Sequence, residues 1–83
     1  MRHARDEDLA PLAALIEEVR ALSGLREKKP GVFYRGPRAF LHFHVDGETL
    51  WADARVTDDF VRYPVSTVVD QRSLLAALRR TLS

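Results

Sequence analysis

Cysteine is absent from the 83 residues of the chain. Without thiols there can be no disulfide framework, no thiolate metal site and no cysteine nucleophile. This absence excludes cysteine-ligated zinc fingers and thiol catalysis, and it is compatible with a reducing compartment.

Long hydrophobic runs are missing too. No segment reaches the roughly 18 consecutive apolar residues that a transmembrane helix needs. The charged segment 1–8 is not followed by the apolar stretch of a signal peptide. We therefore expect a cytoplasmic protein with no membrane partner.

The chain also lacks a large surplus of positive or negative charge. Thirteen lysines and arginines face twelve aspartates and glutamates, so the net charge is +1. A general nucleic-acid binder is usually far more basic. With 46% hydrophobic and 30% charged residues, the composition is that of a folded domain rather than a disordered chain. The length predicts one domain, residues 1–83, with one small core.

Two segments have helical periodicity, about 8–23 near the start and about 67–82 at the end. Apolar side chains recur at spacings of three and four along both: Leu9, Leu12, Leu15, Ile16, Val19 and Leu22 in the first, and Leu74, Leu75, Leu78 and Leu82 in the second. Such a stripe predicts a helix that packs by one side. Ser66 or Thr67 is a suitable N-cap for the second helix.

The segment between the predicted helices is typical of β-strands. Four short runs have strand composition, at about 32–35, 38–45, 50–56 and 60–65. Asp46-Gly47 favours a type I′ hairpin turn, and Pro64 favours an edge position for the last strand. Consecutive hairpins give an antiparallel meander of three to four strands over about 31–65. The predicted fold is α+β, in the order α-β-β-β-β-α, with both helices on one sheet face.

The most specific local feature is the strand segment Phe40-Leu41-His42-Phe43-His44. Side chains alternate along a strand, so Leu41 and Phe43 should point into the core. His42 and His44 should then lie on the opposite face, together with Phe40. Their availability for chemistry depends on that orientation.

The hairpin loop decides what lies opposite the histidines. A two-residue loop at Asp46-Gly47 places His42 opposite Trp51, whereas a four-residue loop over 46–49 places His42 opposite Asp53 and His44 opposite Trp51. Both loops keep the apolar side chains of the two strands on one face: Leu41, Phe43 and Val45 on the first, and Leu50, Ala52, Ala54 and Val56 on the second. The sequence leaves the choice between the two loops open. A three-residue loop would turn Trp51 towards the core. The candidate functional face consists of His42, His44, Trp51, Asp53, Arg55 and Arg38, with Phe40 and Tyr34 beside them.

This face suggests two kinds of chemistry. His42, His44 and Asp53 form a set of two imidazoles and a carboxylate, which zinc and non-haem iron sites use. Alternatively, His42 oriented by Asp53 can take or give a proton near neutral pH. No nucleophile accompanies the pair, so enzymatic activity stays open, and no motif calls for an organic cofactor.

Other features indicate partners rather than chemistry. A basic patch surrounds the first hairpin and is interleaved with Phe33 and Tyr34, an arrangement that can contact nucleic acid: Arg26, Lys28, Lys29, Arg35 and Arg38. The balanced charge of the whole chain disfavours that interpretation. The second sheet face could instead be buried in a homodimer or against another protein.

The chain resembles a family of short bacterial proteins of unknown activity. The residues that carry the resemblance are Lys29 to Tyr34, Arg38 to His44 with its Phe-Leu-His-Phe-His strand, and Ala52-Asp53 on the next strand. The resemblance spans about residues 8–82 and implies that Arg38, His42, His44 and Asp53 are motif positions. The segment Val45-Asp46-Gly47-Glu48 departs from the more acidic, proline-containing pattern of the family.

The leading functional prediction is a small non-enzymatic domain that acts in protein interaction or self-association. The alternatives are a metal, ligand or acid–base site at His42, His44 and Asp53, and nucleic-acid contact through the basic hairpin 26–38.

Overall fold

The computed structural model describes all 83 residues. In chain order the elements are β1 (Arg2–His3), a 3-10 helix (Asp6–Leu12), α1 (Ala13–Arg20), β2 (Arg26–Lys29), β3 (Val32–Arg35), β4 (Arg38–Asp46), β5 (Thr49–Ala54), β6 (Val61–Pro64) and α2 (Val68–Leu82). A helical segment near each end and an antiparallel sheet between them confirm the predicted α+β class.

The sheet has six strands rather than three to four. Strands β2 to β6 form the predicted antiparallel meander, and β1 pairs with β4. The segment Arg26–Lys29, which lies outside the four strands predicted from the sequence, pairs with β3 as an edge strand. Its charged composition suits an edge, because charges there oppose pairing with another chain. Pro64 lies in the opposite edge strand, β6, as predicted.

Both helical segments depart slightly from the predicted bounds. The first begins as a 3-10 helix that contains Pro11, a residue with no N–H to donate, and becomes α-helical only at Ala13. The second begins at Val68, where the hydroxyl of Thr67 accepts a hydrogen bond of 3.1 Å from the backbone N–H of Asp70. That contact is the predicted N-cap. Neither α-helix has the length and apolar character needed to cross a bilayer.

The core lies between the helices and one face of the sheet. A single cluster of 15 buried residues unites all layers: Leu9, Leu12, Leu15, Ile16, Val19, Phe33, Phe40, Leu41, Phe43, Ala52, Ala54, Val65, Leu74, Leu75 and Leu78. The opposite sheet face has no helix over it.

A bulge in β4 changes the expected alternation. Phe33 lies opposite Leu41, but Tyr34 lies opposite Ala39, so Phe40 is an extra residue in β4. Phe40 and Leu41 are both buried in the core, at 2% and 0% exposure. The prediction that Phe40 shares a face with the histidines is therefore wrong.

The β4–β5 hairpin keeps the apolar side chains of its two strands on the same face of the sheet. Asp46 pairs with Thr49, so Gly47-Glu48 forms the turn instead of Asp46-Gly47. Only Gly47 has a positive φ there, +63°, as a type II′ turn requires, so the type I′ prediction is wrong. His42 lies opposite Asp53 and His44 opposite Trp51, which is the pairing predicted for the longer even loop.

Candidate metal centre

The face without helices carries a polar cluster that spans four strands. His3 of β1 pairs with His44 of β4. In the adjacent row, Asp53 of β5 lies between His42 of β4 and Arg62 of β6. Because directly paired residues share a face of the sheet, these side chains converge on one surface. We call His3, His42 and His44 the histidine cluster.

The rings of the histidine cluster are in contact. The ring centroids of His42 and His44 are 4.7 Å apart, those of His3 and His44 are 4.7 Å apart, and those of His3 and His42 are 5.6 Å apart. One nitrogen of each ring lies within 4.8 Å of the corresponding nitrogen of the other two.

Several buried nitrogens of this face have no aligned hydrogen-bond partner. They are Nδ1 of His42, Nε2 of His44 and Nε1 of Trp51. Leaving a buried polar group unpaired costs about 1–3 kcal/mol, so such groups are rare in folded proteins. Nε2 of His44 lies close to a carboxylate oxygen of Asp53, whereas Nδ1 of His42 and Nε1 of Trp51 have no hydrogen-bond partner. Two unpaired buried nitrogens on one face indicate a surface that is not arranged for stability alone.

Asp53 is buried beside His44, and both of its carboxylate oxygens have partners within the protein. Nε and Nη2 of Arg62 donate to its two oxygens at 2.8 and 3.0 Å. Nε2 of His44 lies 2.9 Å from Oδ2 of the same carboxylate. Both carboxylate oxygens therefore already have partners within the protein.

The environment favours neutral imidazoles next to an ionised carboxylate. Burial lowers the pKa of His42 below its ordinary value, and the neighbouring His44 lowers it further. Burial likewise lowers the pKa of His44, although Asp53 opposes the change. The hydrogen bonds from Arg62 lower the pKa of Asp53. Neutral imidazole is the form that binds a metal ion.

Phe60 packs against the side of the cluster. Its ring meets that of His42 edge-on, with centroids 4.9 Å apart and planes at 78°. The guanidinium of Arg55 lies 4.3 Å from the Phe60 ring centroid. Arg55 also donates to the backbone carbonyls of Ala39 and Asp58, at 3.0 and 2.9 Å. Arg55 thus tethers the β5–β6 loop beside His42.

His3 is held in place by hydrogen bonds that its neighbours in the chain make. The backbone N–H of Ala4 donates to the carbonyl of Phe43 at 3.0 Å. Nη1 of Arg2 donates to the carboxylate of Asp8 at 2.6 Å, and that carboxylate also accepts from the N–H of Arg5. These contacts fix β1 along β4, with His3 beside His44.

The predicted site residues divide into two groups. His42, His44, Asp53 and Trp51 come together on the face without helices, whereas Arg55 reaches His42 only through Phe60. Arg38 lies at the far end of β4, where it pairs with Arg35 across the turn. The imidazole beside Asp53 belongs to His44, although His42 is the residue directly opposite in the register.

Sequence reasoning missed His3, Arg62 and Phe60. Alternation along the last strand could have put Arg62 beside Asp53, since the two are direct partners. His3 had no such signal, because its strand is two residues long and pairs with a segment about forty positions away.

The predicted basic patch is spread along the β2–β3–β4 end of the sheet. Phe33 is buried in the core at 1% exposure, so its ring cannot stack on a base. Tyr34 is half-buried, and Nζ of Lys28 lies 4.4 Å from its ring centroid. Nucleic-acid contact through this patch stays a prediction.

Comparison of the chain with protein-family models, with curated proteins and with solved structures finds no match. The resemblance to short bacterial proteins therefore stays a prediction. The functional argument depends on the geometry of the histidine cluster.

Proposed function

We propose that this protein binds a divalent transition-metal ion, most simply zinc(II), through His3, His42 and His44. The observation that carries the proposal is the convergence of three ring nitrogens within 4.8 Å of one another. Three histidines around a metal with a further open position form an established ligand set for catalytic zinc.

The spacing supports a site that needs little rearrangement. With a zinc–nitrogen bond of about 2.0–2.1 Å, tetrahedral ligand nitrogens lie roughly 3.3 Å apart. The longest separation in the cluster is 4.8 Å. Small rotations about the histidine side-chain bonds can close this gap, and the ion would give Nδ1 of His42 the partner that it lacks.

Asp53 suits the role of an outer partner better than that of a ligand. Its oxygens are taken by Arg62 and by the contact with His44. A carboxylate that accepts from the non-ligating nitrogen of a metal-bound histidine orients the ring and raises its basicity. His44 would then bind the metal through Nδ1, while its Nε2 faces Asp53. The ligand set predicted from the sequence, His42, His44 and Asp53, is thus revised: His3 replaces Asp53, which keeps a supporting role.

Zinc titration followed by NMR tests the proposal. In the metal-free protein, adding zinc chloride should shift the ring resonances of all three histidines. A competition assay with a coloured chelator then gives the affinity. Single His3→Asn, His42→Asn and His44→Asn changes should each weaken it by more than about 100-fold, the upper end of what loss of an outer partner costs.

Glu18→Gln is the control, because Glu18 is exposed on α1, away from the histidine face. It should leave the zinc affinity unchanged. His3→Asn is the most informative variant, since His3 is exposed and its loss should spare folding. Unmoved resonances, or wild-type affinity in His3→Asn, would contradict the three-histidine site.

Self-association is the second candidate function. Val68 and Val69 are 65% and 74% exposed at the start of α2, an apolar pair facing solvent. A dimer that buries them should dissociate on Val68→Ser/Val69→Ser substitution. Light scattering tests this, and a mass near 9.4 kDa for the unaltered protein would count against it.

A further inference from the structure

A break in the sheet lies beside the histidine cluster. Along one side of β4, β3 pairs with Arg38 to Leu41, and β1 pairs with His44 and Val45. His42 and Phe43 lie opposite the gap between these two short strands.

A cavity of about 500 Å³ occupies this gap. His3 and His42 form part of its wall, so two rings of the histidine cluster border it directly. Leu9, Val32 and Phe43 line it with apolar surface. The volume falls within the range of small-molecule sites, about 300–1,000 Å³.

The charged and polar groups in the wall favour an anion once a metal is bound. Besides the two histidines they are Asp6, Lys29 and Tyr34. The charges of Asp6 and Lys29 offset each other. Imidazole binds a metal ion in its neutral form, so a divalent ion on the histidine cluster gives this end of the cavity a positive charge.

The metal would have a coordination position to offer. Three histidine nitrogens leave one tetrahedral position open, and both oxygens of Asp53 are already engaged. Carboxylate oxygen is a common zinc ligand. The apolar part of the wall then suits a hydrocarbon chain attached to that carboxylate.

We infer that the cavity binds a small monocarboxylic acid, with its carboxylate on the metal and its apolar chain against Leu9, Val32 and Phe43. The inference rests on the proposed metal site, since the metal supplies the anchoring charge. It goes beyond metal binding, because a metal site by itself does not require the cavity to hold an organic acid.

Cobalt(II) substitution tests the inference. The visible absorption of cobalt reports its coordination, so the cobalt-loaded protein is titrated with acetate, propionate and butyrate. The spectrum should change with each acid, and the dissociation constant should fall about fourfold for each added methylene that is buried. Inorganic phosphate, an anion with no apolar chain, should bind no more tightly than acetate.

Two alanine variants separate the cavity from the metal. Ala39 lines the cavity, so Ala39→Leu should fill it and weaken butyrate binding at least tenfold while the cobalt affinity stays unchanged. Ala76→Leu on the exposed side of α2 is the matched control and should alter neither.

The possible failures are distinguishable. A protein that takes up no cobalt overturns both the proposed function and this inference. A cobalt-loaded protein overturns the inference alone if its spectrum ignores carboxylates, if the chain length has no effect, or if Ala39→Leu binds butyrate normally.

Discussion

The two faces of the sheet both bury side chains, but by different means. On the helix-covered face, apolar residues from the 3-10 helix, α1, α2 and three strands meet in one cluster, where Leu12, Leu41 and Leu74 are fully buried. On the histidine face no element lies above the strands, yet His44 and Asp53 are only 9% and 8% exposed.

This difference separates a surface that stabilises the fold from one that costs stability. Burying apolar area is favourable by about 25 cal/mol per Å². Burying imidazoles without aligned partners is unfavourable. Sites where local rules of stability are broken are commonly functional, so the histidine face is where function should be sought.

The largest expected effect is on the covered face. Leu74→Ala should lower the free energy of unfolding by about 2–5 kcal/mol, because it leaves a cavity among buried neighbours. Urea unfolding of the metal-free protein measures this. Val69→Ala, at a position 74% exposed, is the control and should change stability by less than about 0.5 kcal/mol.

The same variant tests whether the faces are independent. In the absence of urea, the folded Leu74→Ala variant should bind zinc with the same affinity as the unaltered protein. A parallel loss of zinc binding in the folded variant would show that the core sets the geometry of the histidine cluster.

A smaller effect is expected when Asp53 is changed to Asn. The amide loses the ion pair with Arg62 and the carboxylate contact with the imidazole of His44, so zinc affinity should fall by about 10–100-fold, the usual cost of losing an outer partner. Competition with a coloured chelator measures it. Glu48→Gln in the β4–β5 turn should have no effect, and an unchanged affinity in Asp53→Asn would remove Asp53 from the site.

Much of the covered face can be predicted from the sequence. The leucine stripes of both helices and the alternation of Leu41 and Phe43 reflect periodicities that any amphipathic element must have. The exception is Phe40, because a bulge adds one residue and reverses which side faces the core. Bulges have no sequence signature here, since neither Phe40 nor Leu41 is a glycine.

The histidine face was only half predictable. The pair His42 and His44 follows from alternation along one strand, and their pairing with Asp53 and Trp51 is one of the two pairings that the sequence allows. His3 depends on β1 filling a place beside β4 that β3 leaves empty. That is a tertiary arrangement with two paired residues, too short for any periodic pattern.

A pH effect in the metal-free protein sharpens the contrast between the faces. The pKa values of His42 and His44 are lowered by burial, so in the folded state both stay neutral below the ordinary value of about 6.5. The unfolded chain binds more protons in that window, so the free energy of unfolding should fall as the pH decreases below about 6.5.

Urea unfolding at a series of pH values, with chelator present, measures this slope. The double change His42→Asn/His44→Asn should flatten it, whereas Leu74→Ala should keep it while lowering the whole curve. A slope that persists in the double variant would assign the effect to other groups.

The smallest expected effect concerns the anchor of β1. Hydrogen bonds from Arg2 and from the N–H of Arg5 lower the pKa of Asp8, so the carboxylate is charged at neutral pH and holds β1 along β4. Asp8→Asn removes that charge and loosens His3 without touching the histidines, so zinc affinity should fall only a few-fold.

Chelator competition measures this affinity, with Glu7→Gln, an exposed neighbour with no ion pair, as the control. Because exposed ion pairs contribute little, a loss as large as that of His3→Asn would mean that β1 leaves the sheet altogether and that the metal must recruit it.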